Sequence, residues 1–295
     1  MTSKALSDDK VTKYLDELQE RYVMVPIDKA DSNVAFVCKR YYIEVLTKEL
    51  GLQGSQSNTY EHLQNSNQNE IIADHQKHLQ EQFGITVPEE MRTLPNIYWL
   101  PKLHKTPIKA RYIIASQQCT VKKLSKEVTS IFKLAYNQID RYNQKANVFS
   151  GIKTFWVIQN SQPVLQALNQ INSKKNAKTI SSFDFSTLYT SIPHTKLLEE
   201  LSGLIKFIFK GGTRSTISIN KYGIARWTKY ANNSQVKYDL DKILRAVKFL
   251  LDNCHFKFGN KIFRQIVGIP MGSDPAPYFA NLFLYRYESR WLNKM

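Results

Sequence analysis

Long apolar runs, paired cysteines and the common nucleotide-binding fingerprints are all missing from this chain. No apolar segment approaches the roughly 20 residues needed to span a bilayer. Met1-Thr2-Ser3-Lys4 leads into polar sequence with no apolar signal core. The expectation is an intracellular chain, nuclear or cytoplasmic, with no membrane partner. The three cysteines, Cys38, Cys119 and Cys254, are widely spaced and odd in number. That suits reduced thiols rather than a disulfide frame or a zinc site. There is no Ser/His/Asp ordering, no Walker phosphate loop and no dinucleotide-binding glycine pattern. Acidic residues are scarce, with 25 Asp plus Glu against 41 Lys plus Arg.

What is present is charge and a normal core. A net charge of +16 and a pI near 9.6 point to a polyanionic partner, nucleic acid before anionic membrane. Hydrophobic residues make up 42% of the 295, enough for one large domain or two.

Periodicity sketches a mixed helix and strand chain. Residues 10 to 50 read as helix, strand, helix, with Val34 to Cys38 the buried strand and Gly51 the stop. The Gln- and Asn-rich stretch from Gln53 to Gln82 reads as a polar surface helix. In it Asp74-His75 and His78 offer two imidazoles but no third metal ligand. Asn96 to Leu100 and Arg111 to Ala115 read as strands flanking a turn-bearing loop. Leu124 to Tyr142 reads as a helix, Ile180 to Phe185 as a strand, and another helix opens near Pro193. The basic stretch from Thr213 to Gln235 reads as an inserted hairpin or loop. Asp239 can cap an amphipathic helix, and Gly259-Asn260 suits the turn of a hairpin.

Three groups of residues could carry chemistry. Asp184, at the end of its expected strand, would be rigid yet exposed, which suits a hard cation such as magnesium. The alternative is an ordinary Asp capping the next turn. In Gly268-Ile269-Pro270-Met271-Gly272-Ser273, two glycines permit close backbone approach and Pro270 stiffens the loop. The alternative is a Gly/Pro turn joining a hairpin to a helix. Between Pro101 and Lys126 lie Lys102, Lys105, Lys109, Arg111, Lys122, Lys123 and Lys126 with no acid among them. Arg grips phosphate bidentately and Lys supplies a point charge. The alternative is a solvated basic loop. Trp99, Trp156, Trp227 and Trp291 read as packing residues, with Trp227 in its basic loop the exception that could stack a base.

Together these segments resemble a family. Phe183-Asp184-Phe185-Ser186-Thr187-Leu188-Tyr189-Thr190 resembles motif A of reverse transcriptases. Gly268 to Ser273, followed by Ala280-Asn281-Leu282, resembles motif B. Leu100 to Lys105 with Arg111 to Ser116 resembles the fingers hairpin of Penelope-like retroelement reverse transcriptases. Ile27 to Asp31 and Val34 to Val37 resemble the same subgroup, as do Phe256 to Gly272 and Tyr287-Glu288. Val267 stands where many relatives have glutamine, and Tyr112 where they usually have proline.

The resemblance implies an α+β right-hand polymerase: an N-terminal region and start of the fingers over 1–95, fingers over 96–175, and an incomplete palm over 176–295. It implies addition of dNTP to a DNA primer on an RNA template with two Mg2+ ions. Asp184 and the carbonyl of Phe185 would hold metal, and Tyr189 would refuse a 2′-hydroxyl. Lys102 or Lys105 with Arg111 would hold the triphosphate, while Gly268, Gly272 and Ser273 support the nascent pair. Lys109, Lys122, Lys123 and Lys126 would contact nucleic acid. The family's next motif carries two adjacent aspartates. The only Asp-Asp pair here is Asp8-Asp9, far upstream. The expectation is therefore a fragment with half of its metal site, near-background polymerase activity and poor solubility. A non-catalytic nucleic-acid-binding remnant or domesticated derivative is the alternative.

Overall fold

A computed structural model describes residues 9–151, 154–158, 160–173, 179, 181–185, 187–210, 216–228, 236–292 and 294. Helix α1 (Asp9–Arg21) leads into an antiparallel hairpin, β1 (Tyr22–Ile27) and β2 (Ala30–Cys38), and then helix α2 (Lys39–Glu49). The expected single buried strand is thus the second arm of a hairpin. Val34 and Phe36 on it are 52% and 59% exposed, because only alternate side chains of a strand reach one face.

The Gln/Asn-rich stretch is not one helix. It forms β3 (Tyr60–His62), then α3 (Gln68–His78), whose first turn is capped by Asn67 accepting from the Asn69 N–H at 2.8 Å. A π-turn at Leu79–Phe83 follows and ends at left-handed Gly84. Strands β4 (Ile97–Lys102) and β5 (Lys109–Ile114) pair as a hairpin. Helix α4 (Lys122–Ser150) runs further than its apolar stripe suggested. Helices α5 (Gln162–Ser173), the single turn α6 (Leu188–Ser191) and α7 (His194–Lys210) come next. The basic insertion contains β6 (Thr216–Ile219), β7 (Ala225–Thr228) and β8 (Val236–Tyr238), a sheet in the order β7-β6-β8. Helix α8 (Leu240–Asp252) opens on Asp239, which accepts from the Lys242 N–H at 2.7 Å. The hairpin β9 (His255–Phe258) and β10 (Lys261–Gln265) turns at Gly259-Asn260 and pairs with β3, before helix α9 (Ala276–Leu292).

Two main apolar cores organise these elements. The larger gathers α4, α7, α8, α9 and the β6-β7-β8 sheet around Phe132, Leu201, Val247 and Phe279. The second packs β1, α2 and the β4-β5 hairpin against Phe256 and Phe263, with Trp99 2% exposed at its centre. Trp99 stacks on Tyr42 at 5.1 Å and donates its indole N–H to the Tyr42 carbonyl. Both cores draw on residues either side of 95 and 175.

A third expected element also differs. Ser181 to Phe185 is irregular rather than a strand, and Phe183 is 94% exposed. A strand needs a neighbour for its backbone N–H and C=O groups. Among the described residues no strand pairs with this segment. Ile180 and Ser186 lie outside the described residues.

Several polar groups inside the cores are paired. Glu200 on α7 meets Arg290 through two 2.8 Å bonds and Arg286 at 3.2 Å. Burial opposes its charge, but the two guanidinium groups outweigh this and hold its carboxyl below the usual range. His75 and His78 do not converge. His78 meets Asp74 on its own helix, while His75 turns inward to His255 at 3.1 Å and the Thr120 hydroxyl at 2.7 Å.

Burial lowers both His75 and His255 to about 4. In the unfolded chain they would titrate near about 6.5. Unfolded imidazoles therefore take up protons that the folded ones refuse, and stability falls as pH drops from about 6.5 towards about 4. His255→Asn is predicted to make this decline shallower in denaturant unfolding followed across that window. An unchanged slope would contradict the assignment.

Candidate nucleotide and nucleic-acid site

The β4-β5 hairpin has one buried face and one charged face. Ile97, Trp99 and Pro101 alternate inward along β4. Lys102 sits across from Lys109, and Leu100 from Arg111. Cross-strand partners and alternate residues share a face, so Lys102, Lys109 and Arg111 stand together. Lys105 is exposed in the turn between the strands. The crowding is felt electrostatically: Lys102 is lowered first by burial and next by the Arg111 charge.

A single acid enters this group. Asp28, in the β1-β2 turn, places Oδ1 2.8 Å from Arg111 Nη1, with its side chain only 2% exposed. Its other oxygen, Oδ2, is buried without a hydrogen-bond partner. The Asp28 N–H donates to the Pro101 carbonyl at 3.2 Å, so the turn is fixed against β4. Asp28 thus holds one edge of the guanidinium and leaves its other donors for a ligand.

The loop Gly268–Ser273 lies between this hairpin and α6. On one side the Ile114 N–H donates to the Met271 carbonyl at 2.8 Å, and the Ser116 hydroxyl donates to the Gly272 carbonyl. On the other side the Gly268 N–H donates to Ile192 at 2.8 Å, and the Ile269 N–H to Tyr189 at 2.7 Å. His194 Nε2 donates to the Gly268 carbonyl at 2.6 Å. Ser273 closes the loop through its N–H to the Pro270 carbonyl at 3.1 Å.

Both glycines are required by these contacts, whatever ligand the loop meets. A Cβ on Gly272 (φ 110) would sit 2.2 Å from the Ile114 carbonyl oxygen, and one on Gly268 (φ 89) 2.3 Å from that of Tyr189. The loop therefore joins the strand bearing Arg111 to the turn bearing Tyr189. Tyr189 is half-buried; burial raises its phenol while the Arg111 charge works the other way.

The remaining expected residues divide. Lys109, Lys123 and Lys126 are exposed. Lys122 is not with them: it is buried on α4 and bonded to Asp274 Oδ1 at 2.8 Å. Its charge holds the end of the glycine loop to α4, so the structure corrects its expected contact with nucleic acid. Trp227 is half-buried against the larger core and packs edge-on against Phe209 at 4.9 Å, the packing role expected of the other tryptophans. Asp184 is exposed, and Phe185 lines an open groove with Leu188, Lys196 and Tyr287. Among the described residues no group of three or more His, Cys, Asp or Glu could hold a metal ion. One carboxylate does not fit a two-magnesium site.

Asp28, His194 and Asp274 are the site residues that sequence reasoning left without a role. Asp28 stood inside a matched segment, but nothing local pairs it with Arg111.

With this geometry in place, the comparison with solved structures is informative. Apo telomerase from Candida tropicalis superposes with a TM-score of 0.60 at 11% identity, over 95% of this chain and 45% of its own. The chain has a telomerase-like fold. Telomerase from Candida albicans in complex with a TWJ fragment of telomeric RNA gives 0.60 at 9% identity, over 95% and 43%. The Candida tropicalis enzyme truncated from its C-terminal domain gives 0.58 at 12%, over 99% and 50%. This chain thus spans half or less of those chains. No protein-family profile and no curated protein matches it, so the likeness is one of fold.

Gly272→Ala tests the junction. The strained φ and the clash with β5 are predicted to lower stability by about 2–4 kcal/mol in denaturant unfolding. Stability within about 0.5 kcal/mol of the parent would contradict the close approach.

Proposed function

We propose that this chain is a reverse-transcriptase-like domain of a Penelope-like retroelement, which holds a dNTP against an RNA template and a DNA primer. Telomerase, whose fold it shares, is an RNA-directed DNA polymerase. The observation that carries the reading is the Gly268–Ser273 loop, bonded at once to the Arg111 strand and the Tyr189 turn. Such a junction sets a cationic face and an aromatic ring around one backbone surface. A triphosphate is bound there by Arg111, Lys102 and Lys105, and Tyr189 stands where a sugar would be tested for its 2′-hydroxyl. In this reading residues 96–175 serve as fingers and 176–295 as palm.

Electrostatics supports the assignment. Hydrogen bonds to charged groups are worth about 1.5–3 kcal/mol each, and more cations than acids face the ligand. Asp28 keeps Arg111 aimed, so less of its freedom is lost on binding. Magnesium would supply charge neutralisation and activation of the primer hydroxyl. Asp184, with the Phe185 carbonyl beside it, is the residue this chain offers to it. That set falls short of a two-ion site, so no step is routed through the metal. The exposed Lys105, Lys109, Lys123 and Lys126 also favour a second reading, nucleic-acid binding without polymerisation.

Nucleotide binding is the test. Labelled dNTP, titrated in the presence of an RNA–DNA primer-template, should bind the parent and bind Arg111→Ala at least about tenfold more weakly. Equal affinity would remove the reading. Tyr189→Ala should narrow the preference for deoxy- over ribonucleotides. Primer extension separates the two readings. Residues 1–295 by themselves are expected to extend at background, and extension abolished by Asp184→Ala would overturn that expectation.

A further inference from the structure

An open groove of about 540 Å³ runs between the start of α4 and the β6-β7 turn. Its α4 wall carries Lys123 and Lys126, both exposed, and no salt bridge ties either among the described residues. Its opposite wall is the turn Asn220–Gly223, where Lys221 Nζ lies 5.0 Å from the centre of the Tyr222 ring. Tyr222 is 75% exposed.

The turn is held firmly. Asn220 Oδ1 accepts from the N–H groups of Tyr222 and Ile224, both at 3.0 Å, and the Ser130 hydroxyl donates to the Gly223 carbonyl. An exposed aromatic on a fixed backbone loses little freedom when something stacks on it.

The acids of the groove are occupied. Glu127 accepts from the Tyr238 hydroxyl at 2.5 Å, and burial raises its carboxyl above the usual range. Asp274 is bonded to Lys122 through Oδ1, which offsets its charge, while its Oδ2 is buried without a hydrogen-bond partner. The groove therefore presents cations around a rigid aromatic ring, and its lining includes Asp274, next to Ser273 of the glycine loop.

We infer that this groove binds a single nucleic-acid strand, with one base stacked on Tyr222 and phosphates on Lys123, Lys126 and Lys221. Because its lining includes Asp274, next to the loop that supports the nascent pair, the strand it takes is the unpaired RNA template; this assignment rests on the proposed function. Stacking on an aromatic face beside a basic track is the chemistry by which single strands are held without regard to sequence. A duplex keeps its bases inside and cannot use Tyr222.

The test is fluorescence anisotropy with a labelled oligouridine of about 12 nucleotides, a length within the span that single-strand sites cover. Tyr222→Ala should weaken binding about tenfold, and Tyr222→Phe should restore it. Lys123→Gln with Lys126→Gln should weaken it further and reduce the slope of log affinity against log salt by about 1.4. Arg111→Ala should weaken dNTP binding but leave oligouridine binding at the parent level. Parent-like affinity in both Tyr222→Ala and the double lysine variant overturns the groove. Loss of dNTP discrimination at Arg111 with an intact Tyr222 effect overturns the proposed function and leaves the groove standing.

Discussion

Two segments of backbone can lie in contact only where no side chain stands between them. In this protein that condition is met at Gly268 and Gly272, whose missing Cβ atoms leave room for the carbonyls of Tyr189 and Ile114. Through these contacts one short loop bonds to β5 on one side and to α6 and the start of α7 on the other. The strand of Arg111 and the turn of Tyr189, far apart in sequence, are joined because of it. A larger residue at either glycine would push the basic hairpin away from the turn, and the cationic face would lose its opposite wall.

The cores explain why the loop can act as a rigid junction. The hairpin that carries Arg111 is anchored from behind by Trp99 in one core, and α6 and α7 are anchored by Ile192 and Leu197 in the other. The partly buried Lys122–Asp274 pair ties the loop's end to α4. Lys122 is thereby committed to the protein's own carboxylate and keeps the loop in place rather than serving a ligand. The basic surplus thus divides into fixed charges, such as Lys122 and the arginines on Glu200, and exposed ones, such as Lys105, Lys109, Lys123 and Lys126.

Much of this was legible in the sequence, wherever the signal was local. The cap at Asp239, the turn at Gly259-Asn260 and the hairpin around Pro101 to Pro107 each depend on a few neighbouring residues, and the structure shows all three. Ile180 to Phe185 has the composition of a strand, but a strand also needs a partner, and composition carries no information about that. β1 escaped because its inward residues alternate with exposed Tyr22, Met24 and Pro26. The pairings Asp28–Arg111 and Lys122–Asp274 were invisible for the same reason. Their partners are brought together by packing, and nothing in either local pattern names the other. The glycines were read as making room for a ligand; the atoms they make room for belong to the protein.

The central claim is that the Arg111 hairpin, the Tyr189 turn and the glycine loop form one nucleotide-binding unit. Hydrogen–deuterium exchange with and without dNTP, in the presence of an RNA–DNA primer-template, tests it most directly. The account predicts that nucleotide slows exchange together in residues 97–114, 188–192 and 268–273. Slowing in one of the three segments without the others, or in none, would contradict it.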